Sequence, residues 1–391
     1  MGHAFLSFLR DADWLTARRV RAYAAMLGLA SLGVLAIGFF EATGGIGSDF
    51  LAFWGAGQVA AGGDPALAYD LAVQEQVQTG AGSRGWFAFV NPPPFLFLAL
   101  PFGLLPYPLA WIAWVAIGYT LFAWAGIRAF PRLWPVVLAY PGALIAATHA
   151  QTGLFTGALL IAAVTVLDRY PARAGAMVGA LMVKPHLAIL WPFWLAAGRR
   201  WRAFVAAALT VLVLALLSWA AFGTATWLGY GESWDASASL MRRDAAEFYL
   251  RMVSLYAQAR LYLAHPIAIA LAVLLTLVTI WLAVTSWRRF AGDLRASAAL
   301  MLAASAIATP YLFSYDLPFL LFPTLFLVER GLQQGFRPFE KLALVALYLA
   351  PYGLRAMALP LGLNFMPLAS IVLVWLVWSR GGREPDRGSE G

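Results

Sequence analysis

The sequence predicts an all-α protein that threads a lipid bilayer about twelve times, on three observations: extreme apolarity, apolar runs of helical length, and one-sided placement of basic residues. Of the 391 residues, 62% are hydrophobic and 12% charged, with a mean hydropathy of +0.74. A soluble domain would carry about 25% charge, and one water-soluble core of this size cannot bury so much apolar surface. The 17 Trp and 14 Tyr suit aromatic belts at the membrane interfaces. Without Cys, disulfides and thiolate chemistry are excluded. The first apolar run is long and has no small-residue cleavage site, so no cleaved signal peptide is expected.

A spanning helix needs about 20 apolar residues, fewer where helices tilt or break. Val20 to Phe40 is the first such run and Tyr107 to Ile127 the second. Leu133 to Thr148, Leu154 to Leu167, Ala172 to Val183 and Leu187 to Ala197 follow closely, then Phe204 to Phe222 and Pro266 to Trp287. Ser297 to Ala308, Leu317 to Val328, Leu342 to Pro351 and Phe365 to Trp378 complete the set. Pro92 to Pro106 is apolar but short and broken by Pro92, Pro93, Pro94, Pro101 and Pro106. Proline inside a helix removes a hydrogen bond and kinks the chain, so this stretch is expected to lie on the membrane or dip into it.

Charge tests that choice. With the N-terminus in the cytoplasm and residues 92–106 not spanning, 20 of the 27 Lys and Arg face inward; were they a span, 17 would face outward. The positive-inside rule favours the first arrangement, and makes the net charge of +8 a topology signal rather than a nucleic-acid footprint. Residues 1–379 then form one transmembrane domain in a bacterial inner membrane, with both termini cytoplasmic. Two external segments, 41–106 and 223–265, project from it, and 380–391 is a charged, Gly-rich, disordered tail. No internal repeat appears.

The outward side holds the richer chemistry. Asp49 lies just beyond the first span, beside Phe50, Phe53 and Trp54; it is either a base for a hydroxyl proton or the N-cap of a helix starting at Phe50. Lys184-Pro185-His186 joins two apolar runs, where a cation either binds a lipid phosphate or snorkels. His149 and Gln151 form a polar tip that either bonds a sugar or is a plain turn. Arg242, Arg243 and Arg251 offer planar forks for phosphate or the polar face of a solvated helix. Tyr311 to Asp316 sets aromatics beside a carboxylate, suited to a carbohydrate or to a capped helix start. No zinc-ligand spacing, P-loop or dinucleotide fingerprint is present.

Taken in order, these motifs resemble the glycosyltransferase family 87 pattern. Ser48-Asp49-Phe50 through Ala56-Gly57, Gly62-Gly63-Asp64-Pro65 and Ala68-Tyr69-Asp70 are similar to that family's first external loop. Asn91-Pro92-Pro93 stands where the family has Tyr-Pro-Pro; His149 to Gly153, Gly175 to His186 and Thr309-Pro310-Tyr311 continue the resemblance to about Pro323. The resemblance implies a GT-C fold with external juxtamembrane helices. It also implies inverting transfer of a hexose, mannose in mycobacterial members, from a polyprenyl-phosphate sugar to a lipid or glycan acceptor outside the membrane. Asp49 matches the family's catalytic aspartate. Lys184, His186, Arg242, Arg243 and Arg251 become candidates for the donor phosphate, and His149, Gln151, Tyr311, Asp316, Trp54 and Asn91 for sugar or acceptor. The mycobacterial Ser-Trp-Ser-His-type stretch is Phe313-Ser314-Tyr315-Asp316 here, without its histidine. No cofactor is implied; some GT-C enzymes use a divalent metal, although a phosphate leaving group needs none in principle. A transporter or flippase is the alternative, and would predict paired half-repeats and ionisable groups near the midplane.

Overall fold

The computed structural model describes residues 2–242 and 246–380. Arg243, Asp244 and the tail 381–391 lie outside the described residues, as does the side chain of Arg242. Among the described residues the chain is helical, with one isolated β-bridge between Met252 and Phe313.

Helix α1 (Gly2–Asp11) leads through a turn to α2 (Ala17–Thr43), whose first turn is capped by the Thr16 hydroxyl accepting from the Arg19 N–H at 3.4 Å. The polar ring of donors at a helix start needs such a partner. Only 6% of the apolar window of α2 is buried, and Leu29 and Phe40 are each 70% exposed. A surface this apolar is stable only against hydrocarbon.

The segment 41–106, expected outside, is a folded layer. It contains α3 (Phe50–Ala61), α4 (Leu71–Gly80) and α5 (Leu96–Gly103). Asp70 caps α4, accepting from the Ala72 and Val73 N–H groups at 2.8 and 3.0 Å. Helix α3 is apolar all round and is buried from Phe50 to Gly57. It meets α5 where two glycines face: a Cβ on Gly103 would lie 2.2 Å from the Gly57 carbonyl carbon. Residues 92–106 are anchored at both flanks. The neighbouring Asn91 donates to the Val183 carbonyl, and Tyr107 meets the Ser48 hydroxyl. Helix α5 itself has eight residues, a rise of about 12 Å against a hydrocarbon core of about 30 Å.

The other helices follow the apolar runs. They are α6 (Tyr107–Ala129), α7 (Trp134–Leu138), α8 (Pro141–Thr148), α9 (Gly153–Val166), α10 (Pro171–Ala180), α11 (Trp191–Ala197) and α12 (Trp201–Arg242). Then come α13 (Ala246–Arg251), α14 (Leu255–Arg260), α15 (His265–Arg289), α16 (Leu294–Ser305), α17 (Leu321–Gln334), α18 (Glu340–Leu361) and α19 (Met366–Arg380). The expected segments fall on helices, but Leu133 to Thr148, expected as one span, is two short helices, α7 and α8, with a turn at Ala139-Tyr140 between them. Five helices are long and apolar enough to cross a bilayer. Two boundaries move most. Helix α12 runs beyond Phe222 through a break at Gly223 (φ 78°, ψ 169°), a conformation open to glycine. Helix α18 passes through Pro351 and Pro360 to Leu361, because membrane helices tolerate proline where neighbours cover the freed carbonyls.

Polar contacts separate the two ends of the bundle. The groups expected inside bond one another: Lys341 with Asp13 at 3.0 Å, Arg295 with Glu329 at 2.8 Å, Arg200 with Asp168 at 2.7 Å, and Arg380 with Glu340. The groups expected outside do likewise: Gln151 with Asp49, Lys184 with Asp316, and Asn364 with the Leu250 and Met252 carbonyls.

Candidate active site

Asp49 immediately precedes α3, yet its carboxylate makes no capping bond, and the Ser48 hydroxyl is engaged 3.1 Å from the Tyr107 hydroxyl. The Asp49 side chain instead accepts from Gln151 Nε2 at 3.0 Å. Gln151 is held by its own amide oxygen, which accepts from the Thr152 N–H at 3.1 Å and so fixes the NH2 toward Asp49. The turn that aims Gln151 puts Ala150 at φ 45°. That left-handed conformation costs a residue with a Cβ about 1–2 kcal/mol. Gly153 then lets the chain press onto the loop 309–316: a Cβ there would lie 1.7 Å from the Tyr315 carbonyl oxygen.

Lys184 ends the 3-10 turn Leu181–Val183. Its ammonium donates to Asp316 Oδ1 and, at 3.2 Å, to Thr152 Oγ1. Asp316 is 0% exposed and Lys184 8%; the second Asp316 oxygen accepts from the Phe313 N–H at 3.1 Å. The capping reading of Asp316 holds, at the start of a 3-10 helix (Ser314–Leu320), and the ion pair with Lys184 is a contact the sequence did not suggest. A buried pair of this kind is a fixed structural unit, because each charge is costly without the other.

Tyr315 lies over this pair, its ring 5.2 Å from Lys184 Nζ. It stacks on Phe313 at 5.1 Å and meets His149 at 5.8 Å. Burial raises the Tyr315 phenol well above its ordinary range, the fields of Asp49, Tyr311 and Asp316 add to this, and Arg355 opposes them. Burial also raises Tyr311, with Asp316 and Asp49 adding, so both phenols stay neutral donors near pH 7. His149 Nδ1 lies 3.0 Å from the Ile145 carbonyl; a carbonyl only accepts, so Nδ1 carries a proton and Nε2 is left for another partner. His186 meets Tyr311 edge-on at 5.7 Å, and its Nε2 is buried without a hydrogen-bond partner.

The structure thus brings Asp49, Gln151, Lys184, Asp316, His149, His186 and Tyr311 into one cluster. Asn91 borders it, donating to the Val183 carbonyl at 3.3 Å and accepting from the Tyr69 hydroxyl at 2.7 Å. Trp54 faces elsewhere: its indole donates to the Leu105 carbonyl at 2.9 Å and its ring meets Tyr107, within the α3–α5–α6 packing. Arg251 is exposed at the end of α13. Arg355, on α18, was not among the expected site residues. It lies within electrostatic reach of Asp49, Tyr315 and Arg251. Its signal in the sequence was a lone charge between Lys341 and Arg380, masked by ending the span at Pro351.

An apolar cavity of about 370 Å³ opens beside the cluster, between α5, α6, α9 and α10. Thr152 and Val183 line it next to Lys184, and Leu98 and Phe155 form its walls. Leu121 and Trp124, both exposed, lie at its other side. Among the described residues no group of three or more His, Asp or Glu converges as a metal site would require.

The arrangement offers a carboxylate held at an interface, neutral hydroxyl donors, guanidinium groups and an adjoining apolar cavity, which suits transfer chemistry on an amphipathic substrate. The model of glycosyltransferase family 87 matches residues 89–314, more than half of the chain, and includes Gln151, Lys184 and His186 while leaving Asp49 and Asp316 outside. No curated protein and no solved structure gives a match. An all-α membrane protein with this match is a member of glycosyltransferase family 87.

Proposed function

We propose that the protein transfers a hexose from a polyprenyl-phosphate sugar to a lipid or glycan acceptor on the extracytoplasmic face of a bacterial inner membrane, with Asp49 as general base. The observation that carries this reading is an Asp49 carboxylate free of any capping bond and one residue pair away, through Gln151 and Thr152, from an apolar cavity. A carboxylate so placed accepts the acceptor's hydroxyl proton. That oxygen bonds to the anomeric carbon as the bond from this carbon to the phosphate oxygen breaks, and polyprenyl phosphate leaves as an anion. One displacement inverts the anomeric centre. Phosphate is a good leaving group without protonation, so one carboxylate suffices where a glycosidase needs two.

Each other residue has a task in this reading. The cavity accommodates isoprene units near the sugar phosphate, with Leu98 of the proline-broken segment in its wall. Lys184 shares its charge with Asp316 and acts chiefly by fixing Thr152 and the loop 309–316. The neutral Tyr311 hydroxyl, His149 Nε2 and Gln151 are groups for sugar hydroxyls.

Asp49→Asn tests the assignment in proteoliposomes supplied with labelled polyprenyl-phosphate hexose and membrane-derived acceptor lipid. Transfer is expected to fall by about 10²–10⁴-fold, with membrane insertion and thermal unfolding unchanged. Full activity in this variant would remove Asp49 from the mechanism. Movement of label across the vesicle with no new glycosidic bond would favour a transporter or flippase.

A further inference from the structure

We propose that Arg355, with Arg251 beside it, is the cation that holds the donor's phosphate, an assignment that rests on the polyprenyl-phosphate reading above. Three elements converge on its helix. Helix α18 packs against α8, which ends at His149; against the turn Ser314–Leu320, which carries Tyr315 and Asp316; and against α13, which ends at Arg251. Arg355 is the one charged residue between Lys341 and Arg380, and it is half-buried on that otherwise apolar helix. Among the described residues it has no ion pair and no hydrogen-bond partner, and the same is true of Arg251.

A guanidinium retained in such a position without a carboxylate is costly and marks a functional site. Lys184 is not equivalent: its ammonium is neutralised by Asp316 and held by Thr152. Asp49 is near enough to influence Arg355 electrostatically, but no ion pair joins them. Lys184 is matched by Asp316, which leaves Arg355, and the exposed Arg251 of the adjoining α13, without an ion-pair partner that an anion could supply.

The chemistry of the reaction fits that vacancy in charge. The donor is a phosphodiester with one negative charge. When the anomeric carbon–oxygen bond breaks, the bonding pair stays on the phosphate oxygen, and the product is a monoester with a charge of about −1.5 to −2 at neutral pH. Guanidinium groups fixed beside that oxygen interact more strongly with the departing phosphate than with the bound donor, which lowers the barrier. The planar fork of Arg also donates two bonds at once to phosphate oxygens.

Binding of a polyprenyl monophosphate, measured on the full protein in lipid nanodiscs, separates the possibilities. Wild type is expected to bind, and Asp49→Asn, which removes a negative charge near Arg355, to bind at least as tightly. Arg355→Gln should bind on the order of 30-fold more weakly, Arg355→Lys should recover part of the loss, and Arg251→Gln should lose less. In transfer assays Arg355→Gln should lower kcat more than it raises KM, a split that a purely structural residue would not give. Equal binding by wild type and both Arg355 variants would overturn the assignment while leaving the donor reading intact. No binding by wild type would overturn the donor reading and this assignment with it.

Discussion

Lys184 and Asp316 are 132 positions apart in sequence and meet in the buried interior. Removing one charge strands the other. Lys184→Met is expected to destabilise the protein by about 3–5 kcal/mol, whereas the double variant Lys184→Met with Asp316→Leu should recover much of that loss. Thermal unfolding of the three proteins checks this; equal losses in the single and double variants would show that the pair is not a unit. Local pattern cannot reveal such a partnership. The sequence makes Lys184 a candidate cation and Asp316 a candidate cap or sugar ligand, but the distance between them in the chain hides their pairing. Gln151 and Asp49, 102 positions apart, are hidden in the same way. Asp49 itself is legible as a choice between cap and base, and the side-chain geometry decides against the cap.

At the scale of elements, apolar periodicity and length place the expected segments on helices, although Leu133 to Thr148 is two helices with a turn between them. The expected span Leu342 to Pro351 stops short, because α18 continues through Pro351 to Leu361, and this continuation carries Arg355. At residues 92–106, where several prolines cluster, eight residues form α-helix, and that helix too runs through a proline, Pro101. The junction of α9 with the loop 309–316 depends on Gly153, whose missing Cβ admits the Tyr315 carbonyl. Gly153→Ala must push that loop away. It should lower transfer activity by more than about tenfold, since a displacement of about 1 Å in a catalytic geometry can cost 10²-fold, while Gly80→Ala, where nothing lies within 4 Å, should leave it unchanged. Comparable activity in both variants would show that the contact does not position the site.

For the whole molecule, charge predicts sidedness, and the absence of Cys makes that prediction directly measurable. Gly80→Cys, in the layer formed by 41–106, should react with a membrane-impermeant thiol reagent in intact cells. Gln333→Cys, exposed near the opposite end of the bundle, should react only after the membrane is opened. The reverse pattern would invert the topology and place Asp49 in the cytoplasm.

The cavity beside Thr152 extends to Leu121 and Trp124, two exposed side chains of α6, a helix long and apolar enough to cross the bilayer. An opening bounded by such residues draws its occupant by lateral diffusion, so occupancy depends on mole fraction in the leaflet rather than on aqueous molarity. The alkyl tails of a solubilising detergent have the same right of entry as a native lipid. Raising the detergent-to-lipid ratio therefore dilutes the guest and supplies its competitor in a single step.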